Sequence, residues 1–206
     1  KGFETRVPYL ERLAQRGALR HPLGEYERRL TSEIEMIKKI AYRKEIGDTL
    51  AEGVRRASKK IGKGSDLFAV HVKGLEVAMH DPRYNKSLAV TYAVGSTGGR
   101  HTEGQSVEMG QSPVPDVSAL SESVDATSED RKAALSVAAI DFNMIVDALG
   151  VCTYATSTGF SVGQLASMLN AATGWRVSTG DLLKVGERIA NVTKAFNTRH
   201  GLTAKD

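Results

Sequence analysis

The longest apolar periodicity in the chain runs through residues 131–149. Its apolar side chains recur at spacings of three and four, which places them along one face of an α-helix. They are Leu135, Ala138, Ala139, Phe142, Ile145, Val146 and Leu149. The pattern predicts a helix with one face in the core. Gly150 is expected to close it in the left-handed conformation that commonly ends helices.

Helical patterns also occupy most of the remaining chain. Short helices are predicted over 8–19 and 87–94, and a third is predicted from Asp48 to Ile61. Capping boxes, Ser-x-x-Glu or Ser-x-x-Gln, predict helix starts at Ser32 and Ser161, and Ser178 or Thr179 is expected to cap the last helix. We expect a mainly α fold with at most one short β element, near residues 67–72. Residues 1–66 are expected to be the partial end of one helical domain, and 67–206 a C-terminal helical domain.

Composition excludes several classes of protein. The chain has 206 residues, of which 41% are hydrophobic and 25% charged, as in soluble globular proteins. Its apolar runs are shorter than a membrane span, so no membrane is expected. One cysteine cannot form an internal disulfide, which favours the cytoplasm. The net charge is +4, but the basic pairs are scattered without interleaved aromatics, so no nucleic acid is expected.

Candidate ligand groups lie together where the long helix ends. Asp147, Gly150, Val151 and Cys152 bring a carboxylate, exposed backbone N–H groups and a soft thiol within six residues. Together these groups can contact one bound ligand from several sides. A helix that ends in glycine before a buried cysteine is also ordinary packing, because free cysteine behaves as a small hydrophobe. The local pattern leaves both interpretations open.

A second candidate is the segment Thr97-Gly98-Gly99-Arg100-His101. Adjacent glycines allow a close approach of the backbone to a ligand or to another segment. The loop is therefore either a ligand loop or a plain connector, and His101 is either functional or structural. Residues 102–130 have few apolar side chains, and a loop of this length is expected to be functional, a lid or mobile.

Eight segments, taken in order, resemble the tungsten-dependent aldehyde:ferredoxin oxidoreductase family. They are 40–43, 46–57, 72–76, 81–83, 147–152, 169–175, 186–189 and 195–197. Their order and approximate spacing match the family, and the resemblance covers nearly the whole chain. Members of this family bind a tungsten held by two pterin dithiolenes, with a [4Fe–4S] cluster beside it. They oxidise aldehydes to carboxylic acids and pass the electrons to ferredoxin.

The resemblance implies roles for residues at both candidate sites. Asp147 would hydrogen-bond a pterin ring, Gly150 and Val151 would complete that contact through the backbone, and Cys152 would be one of four cluster thiolates. His101 aligns with a family histidine near the metal that assists proton transfer, and is therefore the expected catalytic residue.

The glycine loop departs from the family's Arg-Gly-Ala-Cys-His pattern. Thr97 stands in place of the arginine, and Arg100 in place of the cysteine. Arg100 or Lys73 is expected to make the cofactor contact instead. Glu103 is expected to share the pocket of His101.

The family's N-terminal β domain and its Cys-x-x-Cys-x-x-x-Cys run are not present in this sequence. The resemblance therefore implies the C-terminal portion of an aldehyde oxidoreductase, inactive without an N-terminal domain or subunit. Expected partners are that N-terminal part, ferredoxin or another electron-transfer protein, an aldehyde and a second copy of the chain. Two alternatives stay open: a family relative that reduces an aromatic acyl-CoA, and a helical binding module without cofactor.

Overall fold

The computed structural model describes residues 23–105 and 113–203. The helix expected over 8–19 lies outside the described residues. The chain divides into two compact units, Lys1–Asp66 and Leu67–Asp206. The expected class is confirmed, since the described residues form eight α-helices and one two-stranded sheet.

The first unit contains α1 (Leu23–Ala41), α2 (Ile46–Leu50) and α3 (Val54–Ile61). The predicted start at Ser32 was wrong, because α1 begins nine residues earlier and continues through it. The single helix predicted from Asp48 to Ile61 was also wrong. Gly53, with φ of 79°, interrupts it and begins α3. Arg43, which follows α1, forms ion pairs with Asp48 in α2 and with Glu52 just before α3. Its Nη1 lies 3.0 Å from Asp48 Oδ1 and 2.8 Å from Glu52 Oε1.

The second unit begins with a β-hairpin and continues as helices. Strands β1 (His71–Val72) and β2 (Leu75–Glu76) pair antiparallel, with Val72 opposite Leu75. Lys73 and Gly74 between them have φ of 54° and 86°, the positive pair that tight hairpin turns require. The helices are α4 (Lys86–Val94), α5 (Lys132–Leu149), α6 (Thr153–Thr156), α7 (Val162–Thr173) and α8 (Thr179–Arg199). Short 3₁₀ turns cover His101–Gly104 and Ser118–Leu120 in this unit, and another, Ser65–Phe68, includes the last two residues of the first unit.

Helix α5 is the centre of this unit, as its periodicity predicts. Leu135, Ala139, Phe142, Ile145 and Val146 are all at most 2% exposed. The helix packs most extensively against α8 and next against α4. At the α5–α8 crossing Gly186 is obligatory, because a Cβ there would lie 2.2 Å from the Asp141 carbonyl oxygen.

Two helix starts follow their local signals. Ser161 and Gln164 form the predicted capping box of α7, and Ser178 caps α8 with Asp181 as its partner. The Asp116 carboxylate adds a cap from a distant loop by accepting from the backbone N–H groups of Val162 at 3.0 Å and Gly163 at 2.7 Å.

The loop predicted over 102–130 is partly a core element. Val114, Val117 and Leu120 are buried in the core cluster formed with α5 and α7, so the segment 113–120 packs against these helices. None of the helices in the described part of the chain combines the length and hydrophobicity that a membrane span requires.

Candidate functional site

The end of α5 is closed by the conformation that the sequence predicts. Gly150 has φ of 66°, its N–H donates to the Asp147 carbonyl at 3.1 Å, and the Val151 N–H donates to the Val146 carbonyl at 3.1 Å. These two bonds form a Schellman motif. The expectation of an exposed Val151 N–H was therefore wrong. A cofactor contact from the Val151 backbone stays a prediction, and it would have to use the carbonyl oxygen.

Cys152 follows this turn and is exposed. It occupies the position before the first residue of α6, and its carbonyl accepts from the Ala155 N–H at 2.9 Å. The packing interpretation, in which this cysteine is a small buried hydrophobe, was wrong. The thiol can reach a partner outside the described residues.

Arg100 and Asp147 come together although they are far apart in sequence. Arg100 Nη2 donates to Asp147 Oδ2 at 3.2 Å, and the two side chains are 41% and 44% exposed. The Thr102 hydroxyl accepts from Arg100 Nε at 2.7 Å, which fixes the guanidinium from its other side. A cation and an anion are thus presented together beside the turn that carries Cys152.

The Gly98–Gly99 segment makes the close approach that its sequence predicts, and its partner is the β-hairpin. A Cβ on Gly98, whose φ is 91°, would lie 2.5 Å from the Val72 carbonyl oxygen. A Cβ on Gly99 would lie 2.9 Å from the carbonyl oxygens of Leu75 and Glu76. The two glycines therefore let the loop lie flat on the hairpin and present Arg100 and His101 beyond it.

Glu103 holds this loop together from inside. Its carboxylate is 3% exposed and accepts from the N–H and hydroxyl of Ser96, both at 2.7 Å. It also accepts from the N–H of Thr97 at 3.3 Å and its hydroxyl at 2.7 Å. Burial acts to raise the pKa of Glu103, but the hydrogen bonds from Thr97 and Ser96 together outweigh it, and this pKa is lowered. Both carboxylate oxygens thus accept hydrogen bonds from the loop, and a role of Glu103 in the pocket of His101 stays a prediction.

His101 is half-buried at the start of the 3₁₀ turn that Glu103 anchors. Its ring lies against that of His80, with 4.3 Å between the centroids and 38° between the planes. Burial, the neighbouring His80 and the Arg100 charge lower the pKa of His101 below its usual value, in that order of effect. Sequence reasoning missed His80, although it directly precedes the turn signal Asp81-Pro82-Arg83.

Two cavities flank this region. An open cleft of about 590 Å³ is lined by His80 and its neighbours in residues 70–83. A second cavity, of about 310 Å³, lies between the end of α4, α5 and α8, and is lined in part by Ser96, Glu103, Asp141 and Glu187. Burial and the nearby Glu187 charge raise the pKa of Asp141 to about 6.

Residues 23–105 and 113–203 hold no group of three or more His, Cys, Asp or Glu side chains that could bind a metal ion. Cys152 is thus a single thiol, and one thiolate cannot hold a four-iron cluster. If the thiol is a cluster ligand, the other ligands must come from outside the described residues.

Comparison with known proteins identifies the family. Residues 15–206 match the model of "Aldehyde ferredoxin oxidoreductase, domains 2 & 3". The chain belongs to this family. The tungsten-containing aldehyde ferredoxin oxidoreductase of Thermococcus kodakarensis is 37% identical over 172 residues, which are 82% of this chain and 27% of that protein. Its namesake from Pyrococcus horikoshii is 35% identical over 167 residues, 81% of this chain and 26% of the relative.

The chain therefore spans about a quarter of the length of these relatives. The matched family domains include both candidate segments, the glycine loop and the end of α5. The accessible Arg100–Asp147 ion pair and the exposed Cys152 lie in these segments. The individual roles of Asp147, Gly150, Val151, Cys152, Arg100 and His101 stay predictions.

Proposed function

We propose that the chain is the C-terminal portion of a tungstopterin and iron–sulfur oxidoreductase that oxidises aldehydes to carboxylic acids, with ferredoxin as the electron acceptor. The observation that carries this proposal is the accessible Arg100–Asp147 pair beside the exposed Cys152. The tungsten-containing relatives support the metal, since their names state it. Further polypeptide is needed for activity, because a single thiol cannot complete a cluster.

The residue types fit the proposed cofactors. A carboxylate accepts hydrogen bonds from pterin amino and ring N–H groups, and Asp147 is accessible enough to do so. Arg100 has further N–H donors that suit an anionic group. The Cys152 thiol is a soft ligand of the kind that iron–sulfur clusters use. When bound, the tungsten pterin and the cluster supply the oxidation and the electron path.

His101 has the properties of a proton acceptor. Its lowered pKa keeps the imidazole neutral near pH 7, so that a ring nitrogen can take a proton from water or a hydrated aldehyde. Arg100 and Asp147 orient the cofactor on the neighbouring side of the loop. The exposed thiol of Cys152 also favours a reducing compartment, and we place the protein in the cytoplasm.

The test uses the longest natural polypeptide that contains this chain, prepared without oxygen. Tungsten and iron are measured by mass spectrometry, and turnover is measured as aldehyde-dependent reduction of ferredoxin. We expect both metals and aldehyde oxidation. Absence of both metals would favour a cofactor-free helical binding module. Turnover of an aromatic acyl-CoA in place of aldehydes would show that the protein is instead the family relative that reduces an aromatic acyl-CoA. Sedimentation of the same sample tests whether two copies associate.

The Cys152→Ala variant tests the cluster ligand in the same polypeptide. We expect it to lose iron and visible absorbance, because a thiolate ligand is removed. Tyr154→Phe is the matched control, since Tyr154 is an exposed residue of α6 two positions away. Retained iron in the alanine variant would rule out the ligand role.

A further inference from the structure

His80 and His101 form a ring pair in the second unit. The centroids are 4.3 Å apart and the planes are tilted by 38°, so the two rings are in direct contact. Both side chains are partly exposed, and the cleft of about 590 Å³ opens beside His80. The pair is therefore reachable from solvent while each ring restricts the movement of the other.

The backbone of His80 is fixed on both sides. Its N–H donates to the Ala78 carbonyl at 2.7 Å, and its carbonyl accepts from the Tyr92 hydroxyl at 3.1 Å. Tyr92 is 3% exposed on α4, so this bond ties His80 to the core. The next residue, Asp81, accepts from the Arg83 N–H at 2.8 Å and closes the turn. A side chain on such a backbone can act as a fixed support.

We propose that His80 is a positioning residue for His101: its ring holds the His101 ring in one orientation and keeps that ring neutral. The inference rests on the proposed proton-accepting role of His101. The neighbouring His80, 4.3 Å away, lowers the pKa of His101, because a positive charge beside an imidazole disfavours its protonation. His101 then keeps a ring nitrogen that can accept a proton.

The other charges around His101 act consistently with this role. Arg100 is adjacent in sequence and adds a positive charge, which Asp147 on α5 partly neutralises through their ion pair. The Glu103 carboxylate is bound by Ser96 and Thr97. The lowered pKa of His101 follows from burial, then His80, then Arg100. Among the neighbouring charged groups, His80 therefore lowers the pKa of His101 the most.

The first test is an NMR titration of the imidazole signals in the chain itself. His80→Phe keeps a flat ring against His101 and removes the charge. We expect the pKa of His101 to rise, because the repulsion from a positive charge on the neighbouring ring is removed. His101→Gln identifies the signal by its loss. His200 is the internal control, because its ring already packs against a non-titrating ring, Phe196, at 4.3 Å.

An unchanged pKa of His101 in folded His80→Phe would overturn the proposal. His80→Gln provides the same comparison if circular dichroism shows that His80→Phe does not fold. Tyr92→Phe removes the hydroxyl that holds the His80 carbonyl, and we expect a smaller rise of the same sign. This measurement needs no cofactor, so its outcome is separate from the outcome of the proposed function.

The second test is the pH–rate profile of the longest natural polypeptide, with metal content measured in each variant. If His101 accepts a proton, the acid limb of kcat/KM moves to higher pH in His80→Phe by the same interval as the NMR titration, while the rate above pH 8 stays the same. His200→Gln should leave the profile in place. If the pKa of His101 shifts in the NMR titration but the pH–rate profile does not move, the catalytic role of the His80–His101 pair is refuted.

Discussion

The Glu103→Gln variant tests how the loop that carries Arg100 and His101 is held. The carboxylate accepts four hydrogen bonds, two from Ser96 and two from Thr97. A glutamine oxygen can keep one pair, but its NH₂ group cannot accept from the Thr97 N–H. Hydrogen bonds to a charged group contribute about 1.5–3 kcal/mol each, and removing the buried charge offsets part of the loss. We expect a net destabilisation of about 2 kcal/mol.

The measurement is urea unfolding followed by circular dichroism, with hydrogen exchange of the Ser96 and Thr97 amides. Glu122→Gln is the control, because Glu122 is an exposed glutamate of the same unit and its loss should change stability by less than about 0.5 kcal/mol. The folded-state pKa of Glu103 is lowered, so its contribution is present above the ordinary value of 4.5 and is lost as pH falls below it. The difference between wild type and variant should therefore shrink in acid. An unchanged unfolding midpoint with protected amides would refute the reasoning.

Three further predictions follow from packing and charge. Gly186→Ala should destabilise the second unit by about 2 kcal/mol or more in thermal unfolding, because its Cβ would meet the Asp141 carbonyl. Gly180→Ala on the same helix should be neutral or stabilising, because its Cβ would make only an ordinary contact with the Ser178 hydroxyl at 3.9 Å. Asp141→Asn should stabilise the fold at pH 7. The folded pKa of Asp141, about 6, lies above the ordinary 3.8, so the wild type loses stability as pH rises from about 4 to 6. Unfolding measured across this pH range should show the loss only in the wild type. Arg100→Gln should leave the melting temperature nearly unchanged, because the exposed ion pair contributes about 0–1 kcal/mol to stability. The same variant should lower the amount of tungsten that the longest natural polypeptide retains. Unaltered tungsten retention would contradict the cofactor contact.

Local signals predicted local structure well. The α5 periodicity, the left-handed Gly150 and the capping box at Ser161 each depend on residues within a few positions of one another. The same kind of signal failed at Ser32, because strong helix formers precede it and no breaker separates them, so the helix extends through the cap. The interruption at Gly53 shows that a positive-φ glycine can end a helical pattern whose apolar spacing continues.

The site was less predictable, because its contacts are distant in sequence. The Arg100–Asp147 pair depends on the glycine loop lying flat against the hairpin before it turns toward α5. No spacing rule places residue 100 beside residue 147, and only the family resemblance assigned both to one cofactor site. His80 was missed for the same reason: its ring partner, His101, lies beyond α4. The four hydrogen bonds of Glu103 were also not predicted, because a sequence cannot show which way a loop carboxylate turns.

Two carboxylates that contact the loop, Glu103 and Asp147, differ in what they can bind. Glu103 is buried and fully hydrogen-bonded, so recruiting it to a ligand would leave the Ser96 and Thr97 donors without their acceptor at a cost of several kcal/mol. Within the described part of the chain, the Asp147 side chain has an exposed ion pair with Arg100, which a ligand can replace with its own donors at little cost. The loop is therefore fixed by one acid while the other stays available. This division of roles would let the loop stay folded while Asp147 exchanges its partner for a ligand.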